Sequence, residues 1–155
     1  IYLATLGKAA GVAGAAVAAH ASVIDWLIQK ARPYIYTTAS PPLLAACLLE
    51  SLRQIEAGGT RRAQLQRLIV QLRAGLAGLK RGTLMASDTP IQPLLIGANA
   101  DAVALSLALL QRDLLVPAIR TPTVSANTAR LRITLSAAHS ADDVAQLIQA
   151  LHALD

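Results

Sequence analysis

The sequence has no phenylalanine, one tryptophan and three tyrosines among its 155 residues, so aromatic rings can contribute little packing and almost no stacking. That poverty weighs against nucleic-acid binding, although the formal net charge is +5. The basic residues come in scattered pairs, Arg61-Arg62, Lys80-Arg81 and Arg130 with Arg132, and no rings interleave them as platforms for bases. A site for anionic groups such as phosphate or carboxylate accounts for the excess better. There is one cysteine, Cys47, which excludes a disulfide framework within the chain. Its run, Leu43 to Leu49, reads as apolar, so Cys47 is expected to be a small buried hydrophobe.

Charged residues are only 15% of the chain, yet no uncharged stretch reads as a membrane span. Glycines interrupt residues 9–24, and Pro33, Pro41 and Pro42 interrupt residues 33–49. The first residues show neither a charged leader nor a cleavage pattern, so the expected location is cytoplasmic. The three histidines, His20, His139 and His152, fall at apparent helix ends or on the last helix and are not read as catalytic. No metal site is expected.

What is present is aliphatic. Hydrophobic residues make up 54% of the chain, enough for a folded core built from Ala, Leu and Ile, a palette suited to helices on sheets. Tyr2 to Thr5 reads as a strand end and Gly14 to Ala19 as a neighbouring strand. Both are continuous apolar runs, the pattern of strands covered on both faces. Helical spacing of Val23, Trp26, Leu27 and Lys30 predicts a helix over 22–31, stopped by Pro33. Tyr34 to Thr38 reads as extended. Ser40-Pro41-Pro42 then reads as a helix start with Ser40 as cap, running to about Glu56.

After Gly58-Gly59, Thr60 is expected to cap a helix over 61–79 with Leu65, Leu68, Ile69, Leu72, Leu76 and Leu79 on one stripe. The Gly-Gly break and this helix read as a connection between domains spanning 1–58 and 59–155. Beyond Gly82 the pattern predicts strands over 91–96 and 114–119 around a helix over 99–112. Residues 130–135 alternate cleanly, one face buried and one wet, and Ser140 caps a last helix to about Leu154. These elements make a small α+β domain with helices on one face of its sheet.

Lys8 is the chemically suggestive residue. It lies in Thr5-Leu6-Gly7-Lys8-Ala9, on a glycine-hinged turn between two apolar runs. Burial there would lower its ammonium pKa and free an amine for Schiff-base chemistry. A nucleotide-binding P-loop is a poor rival: Ala9 follows Gly7-Lys8 where a hydroxyl residue is needed, and the upstream glycine is missing.

Four ordered segments carry a resemblance to a known family: Thr5 to Ala9, Ile35 to Pro42, Ala118 to Val124, and Thr128 to Leu135. Together they resemble the α-oxoamine synthases, pyridoxal-phosphate enzymes of the aspartate-aminotransferase type (fold type I). The resemblance runs over essentially all 155 residues. It implies an α/β fold comprising the C-terminal part of such an enzyme: the end of the large-domain sheet, then a small α+β C-terminal domain. The N-terminal arm and first half of the large domain, with the family's ring-stacking aromatic, pyridine-pairing carboxylate and nearby histidine, have no counterpart here.

The resemblance also implies roles. Lys8 would bind pyridoxal 5′-phosphate covalently and move the substrate's α-proton, and Thr5 would hold the phosphate. Thr38, or its neighbour Thr37, would reach the phosphate of the other subunit in a homodimer. Arg120 would grip the substrate α-carboxylate through its guanidinium fork, and Arg132 would play a secondary part near the carboxylates. A solvated strand face explains Arg132 equally well.

The partners implied are an amino acid and an acyl-CoA or acyl-carrier thioester, joined in a decarboxylating condensation by this acyltransferase. L-Alanine with a pimeloyl thioester, in biotin biosynthesis, is the expected pair. Glycine with acetyl-CoA, glycine with succinyl-CoA and serine with palmitoyl-CoA stay open. A non-catalytic piece is the alternative of another class, and the chain by itself is expected to be inactive. One departure lies in the loop 124–128, where Ser125 and Asn127 stand in place of the family's usual Pro and Gly. Asn tolerates a left-handed backbone, so the turn can survive.

Overall fold

The computed structural model describes residues 1–155, which divide into two compact units, Ile1–Gly59 and Thr60–Asp155. In the first unit, β1 (Tyr2–Thr5) and β2 (Ala15–Ala18) pair antiparallel, with Tyr2 opposite Ala18 and Thr5 opposite Ala15. Helices α1 (Ala21–Lys30), α2 (Arg32–Ile35) and α3 (Pro42–Glu56) follow.

Among these residues the two strands are not covered on either face. Every residue of β1 and β2 is exposed except Ala4, which is half-buried. Size does not decide this: Tyr2 and Leu3 are 70% and 66% exposed while the smaller Ala4 is half-buried, so no layer within these 155 residues covers the pair. Cys47 is likewise exposed on α3 rather than buried. No residue of α1, α2 or α3 is fully buried.

Two prolines redraw the segment expected to be extended. Pro33 sits in the first turn of α2, where its fixed φ suits a helix start, so Tyr34 and Ile35 are helical. The residue before a proline is pushed out of the helical region. Pro41 accordingly stays extended (φ −54°, ψ 134°) and caps α3 without a side-chain bond, in place of Ser40.

The second unit holds the core. A four-stranded antiparallel sheet runs β3 (Thr83–Leu84), β4 (Ile91–Gly97), β6 (Ala129–Thr134), β5 (Ala118–Ile119) in spatial order. On β6, Ala129, Leu131 and Ile133 are buried while Arg132 and Thr134 are exposed, the alternation its sequence predicts. The buried face meets α4 (Gly59–Gly75), α5 (Asn99–Leu110) and α6 (Ala141–Ala153) in one cluster that includes Leu68, Leu72, Leu94, Leu105, Leu131 and Leu151.

Helix α4 stops at Gly75, short of Leu79, but Leu76 and Leu79 still join the cluster from the following turn. Gly75 leaves room for α6, since a Cβ there would lie 2.4 Å from Cδ1 of Ile148. The strand expected over 114–119 shrinks to Ala118–Ile119. Pro117 has no N–H for a ladder, although its carbonyl accepts from the Arg132 amide at 2.9 Å.

The one fully buried polar side chain, Gln92, is satisfied from three sides. Its Oε1 accepts from Arg73 at 2.7 Å, and its Nε2 donates to the carbonyls of Ser87 and Thr89 at 3.2 and 2.7 Å. Helix α6 opens on a capping box in which the Ser140 hydroxyl accepts from the Asp143 amide and the Asp143 carboxylate accepts from the Ser140 amide. No helix is long and apolar enough to cross a membrane.

Candidate functional site

Lys8 lies on the connection between β1 and β2, a loop fixed by its own backbone. The ladder continues past Thr5 with the Leu6 amide donating to Gly14 O at 2.9 Å, and the Val12 amide returns to Leu6 O at 3.0 Å. Inside it, Lys8 opens a turn closed by the Gly11 amide donating to its carbonyl at 3.0 Å. That turn ends in a left-handed residue, Gly11 at φ +64°, where a side chain would be strained. Val12, the one buried hydrophobic residue of this unit, anchors the loop from below.

A bond from a distant helix completes the loop: the Ser51 hydroxyl on α3 donates to Ala10 O at 2.7 Å. Among these 155 residues the Lys8 side chain is exposed. What the loop supplies is a fixed point of attachment for a free amine. Thr5 is exposed at the end of β1, three residues before it. Thr37 and Thr38 are exposed in the separate segment between α2 and α3.

The second unit carries the arginines. Arg120 is exposed directly after β5, its carbonyl accepting from the Thr123 amide at 2.9 Å. The Thr121 amide points to Asn99 Oδ1 at 3.5 Å, and Arg120, Thr121, Asn99, Val103 and Leu107 line an open hollow. Ile119 pairs with Arg130, so Arg120 and Arg132 start from levels three residues apart along the ladder, roughly 10 Å of strand.

The two arginines of β6 differ in availability. Arg130 is tied to Thr128 O at 3.0 Å and lies 3.5 Å from the Met85 sulfur, whereas Arg132 is exposed. The side chains of Lys8, Arg120 and Arg132 make no hydrogen bond or ion pair within the chain. Three cations are therefore open to anionic or electrophilic ligands. The departure at Asn127 is accommodated as expected: its φ is +58°, a left-handed turn residue that feeds β6.

The histidines are occupied structurally. His20 caps α1 through Nδ1, His139 Nδ1 accepts from the Ser136 amide, and His152 Nε2 meets Gly75 O at 2.8 Å. No cluster of His, Cys, Asp and Glu could hold a metal ion. The perturbed carboxyls also lie outside the site. Arg53 and then Gln54 hold Glu50 below the ordinary carboxylate range, in an exposed pair worth little. Sequence reasoning missed Ser51, and no local signal could have found a partner 41 residues away. Asn99 had a weak signal, as a helix-opening Asn next to a glycine strand end.

The model of the family described as aminotransferase class I and II matches residues 1–151. The 8-amino-7-oxononanoate synthase of Thiobacillus denitrificans is 73% identical over 154 residues, covering 99% of this chain and 40% of that protein. The synthase of the same name from a Janthinobacterium species is 59% identical over 157 residues, covering all of this chain and 40% of the relative.

Among solved structures, the Francisella tularensis 8-amino-7-oxononanoate synthase superposes with a TM-score of 0.84 at 29% identity, over 98% of this chain and 44% of its own. Serine palmitoyltransferase of Sphingomonas wittichii gives 0.84 at 29% identity, over 97% of this chain and 38% of its own. The chain spans about 40% of the length of the curated relatives it matches. Its fold is that part of a fold type I α/β enzyme.

Proposed function

This chain belongs to the aminotransferase class I and II family, and from that premise we propose that its protein is a pyridoxal-phosphate-dependent acyltransferase of biotin biosynthesis. The reaction is condensation of L-alanine with a pimeloyl thioester, releasing the thiol and carbon dioxide and leaving 8-amino-7-oxononanoate. The observation that carries this reading is 73% identity to a synthase of that name across 99% of the chain. Pyridoxal 5′-phosphate is the cofactor, and the donor set fits it: a free exposed amine at Lys8 and a free hydroxyl at Thr5 suit an aldehyde and a phosphate. When bound, the group supplies an electron sink for charge left on the amino acid's α-carbon.

The chain's own residues divide the work. The Lys8 Nζ would hold the cofactor and, as a free amine, would take and return the substrate's α-proton. The Thr5 hydroxyl donates to the phosphate. Thr38 does so for the partner subunit of a homodimer. Arg120 forks onto the α-carboxylate and orients the amino acid, a role its unpaired guanidinium at the end of β5 supports. Arg132, exposed on the wet face of β6, adds a second positive charge for the carboxylates.

The test is turnover. The protein that contains these residues should release thiol from pimeloyl-CoA only with L-alanine present, and product should be identifiable by mass. Preference for glycine with acetyl- or succinyl-CoA, or for serine with palmitoyl-CoA, would reassign it within the family. The 155 residues alone are expected to be inactive, since the first unit leaves Tyr2, Leu3, Trp26, Tyr36 and Leu43 at least 60% exposed. Turnover by this segment alone would overturn that expectation.

A further inference from the structure

We propose that Ser51 is a positioning residue for Lys8, holding the amine's loop from the far side through the Ala10 carbonyl; this rests on the reading of Lys8 as the cofactor lysine. The contact is short, 2.7 Å, and half-buried, and it joins residues 41 apart in sequence. A serine inside a helix usually faces solvent or bonds back to its own helix four residues earlier, which slightly weakens that helix. Ser51 does neither: its hydroxyl leaves α3 for a loop carbonyl.

The target of that bond matters. Ala10 is the residue just before Gly11, so its carbonyl sits inside the Lys8–Gly11 turn. The other hydrogen bonds fixing the loop are backbone bonds to Leu6, Gly14 and Lys8, all local to the hairpin. Ser51 is the one side chain that ties the turn to a second element. Lys8 has no partner of its own to orient it, so the placement of its Cα depends on the turn. Removing the hydroxyl leaves the Ala10 carbonyl without its donor and frees the turn to pivot on the ladder ends.

The experiment compares Ser51→Ala, Ser51→Thr and Lys8→Ala in the protein loaded with pyridoxal phosphate. It reads three quantities: affinity from the yellow absorbance of the bound cofactor, the pH profile of that absorbance, and the thermal midpoint of the cofactor-free protein. Ser51→Ala should weaken cofactor binding about three- to tenfold, the range set by one hydrogen bond. It should also shift the pH profile while leaving the cofactor-free midpoint close to wild type, and Ser51→Thr should restore both readings. Wild-type affinity and profile in Ser51→Ala would overturn the proposal, as would a loss that follows the midpoint or that Ser51→Thr fails to repair. Lys8→Ala separates the two ideas: if it keeps a borohydride-stable link to the cofactor, the reading of Lys8 itself fails, whatever Ser51 does.

Discussion

At the scale of single residues, the decisive property is which cations have no partner. Lys8, Arg120 and Arg132 are free, whereas Arg73 and Arg130 are engaged with Gln92 and Thr128. Two outcomes follow for the free ones. Lys8→Ala should abolish borohydride-trappable cofactor while leaving the fold intact, checked by intact mass after reduction. Arg120→Lys keeps the charge but loses the planar fork. It should lower kcat/KM for the amino acid about ten- to a hundredfold, mostly through KM, because a hydrogen bond to a charged group contributes about 1.5–3 kcal/mol. Steady-state kinetics with the thioester saturating would read it. These residues were legible because their cues are local: Gly7-Lys8 between apolar runs, and Arg120 before Pro122. Ser51 was not, because its significance is a bond to a carbonyl 41 residues earlier.

At the scale of elements, sequence pattern succeeded where the layer that buries a face lies within the same residues. The stripe on α4 and the alternation on β6 are built from Leu and Ile, whose burial is worth enough to dictate a face. β1 and β2 read as buried too, but no layer within these 155 residues covers them, and Tyr2 and Leu3 stand exposed beside the alanines. Prolines decided three further differences, by setting the start of α2, shifting the start of α3 and cutting β5 short. Gly82 offers a test of backbone shape. It holds φ +125°, and a Cβ there would meet Leu95 O at 2.8 Å. Gly82→Ala should destabilise the second unit by at least about 1–3 kcal/mol, seen as a lower denaturant midpoint.

The capping box of α6 offers another test. The Ser140 backbone amide, then its hydroxyl, hold the Asp143 carboxyl below the ordinary aspartate range. A depressed folded pKa means that the stabilisation is complete above the unfolded value, near pH 4, and is lost as pH falls through the folded one. The Asp155 carboxylate, accepting from the Lys80 and then the Arg81 amide, is shifted the same way. Thermal midpoints should therefore fall more steeply below about pH 4 in the parent than in Asp143→Asn, measured by circular dichroism.

At the scale of the whole molecule, the two units differ in how far each is self-sufficient. The core cluster and every residue packed against it lie in residues 65–154, while the first unit buries one hydrophobic side chain, Val12. Residues 60–155 expressed alone should unfold cooperatively, and residues 1–59 should give no such transition and should bind a hydrophobic dye. The α+β character of the second half was legible because it rests on the order of large-residue patterns, whereas the α/β class came with the family resemblance. Membership in one enzyme family came from motifs, which no periodicity supplies. On β6, the same alternation that seats Leu131 and Ile133 in the core leaves Arg132 outside, and the Asn127 turn sets its phase. Sliding β6 by one residue would turn Arg130 and Arg132 inward and Leu131 and Ile133 out. The solvent-facing arginines and the dry interior are thus encoded in one shared phase, so an insertion or deletion of one residue between Val124 and Ala129 must forfeit both together, whereas a replacement at Arg132 can alter the first and spare the second.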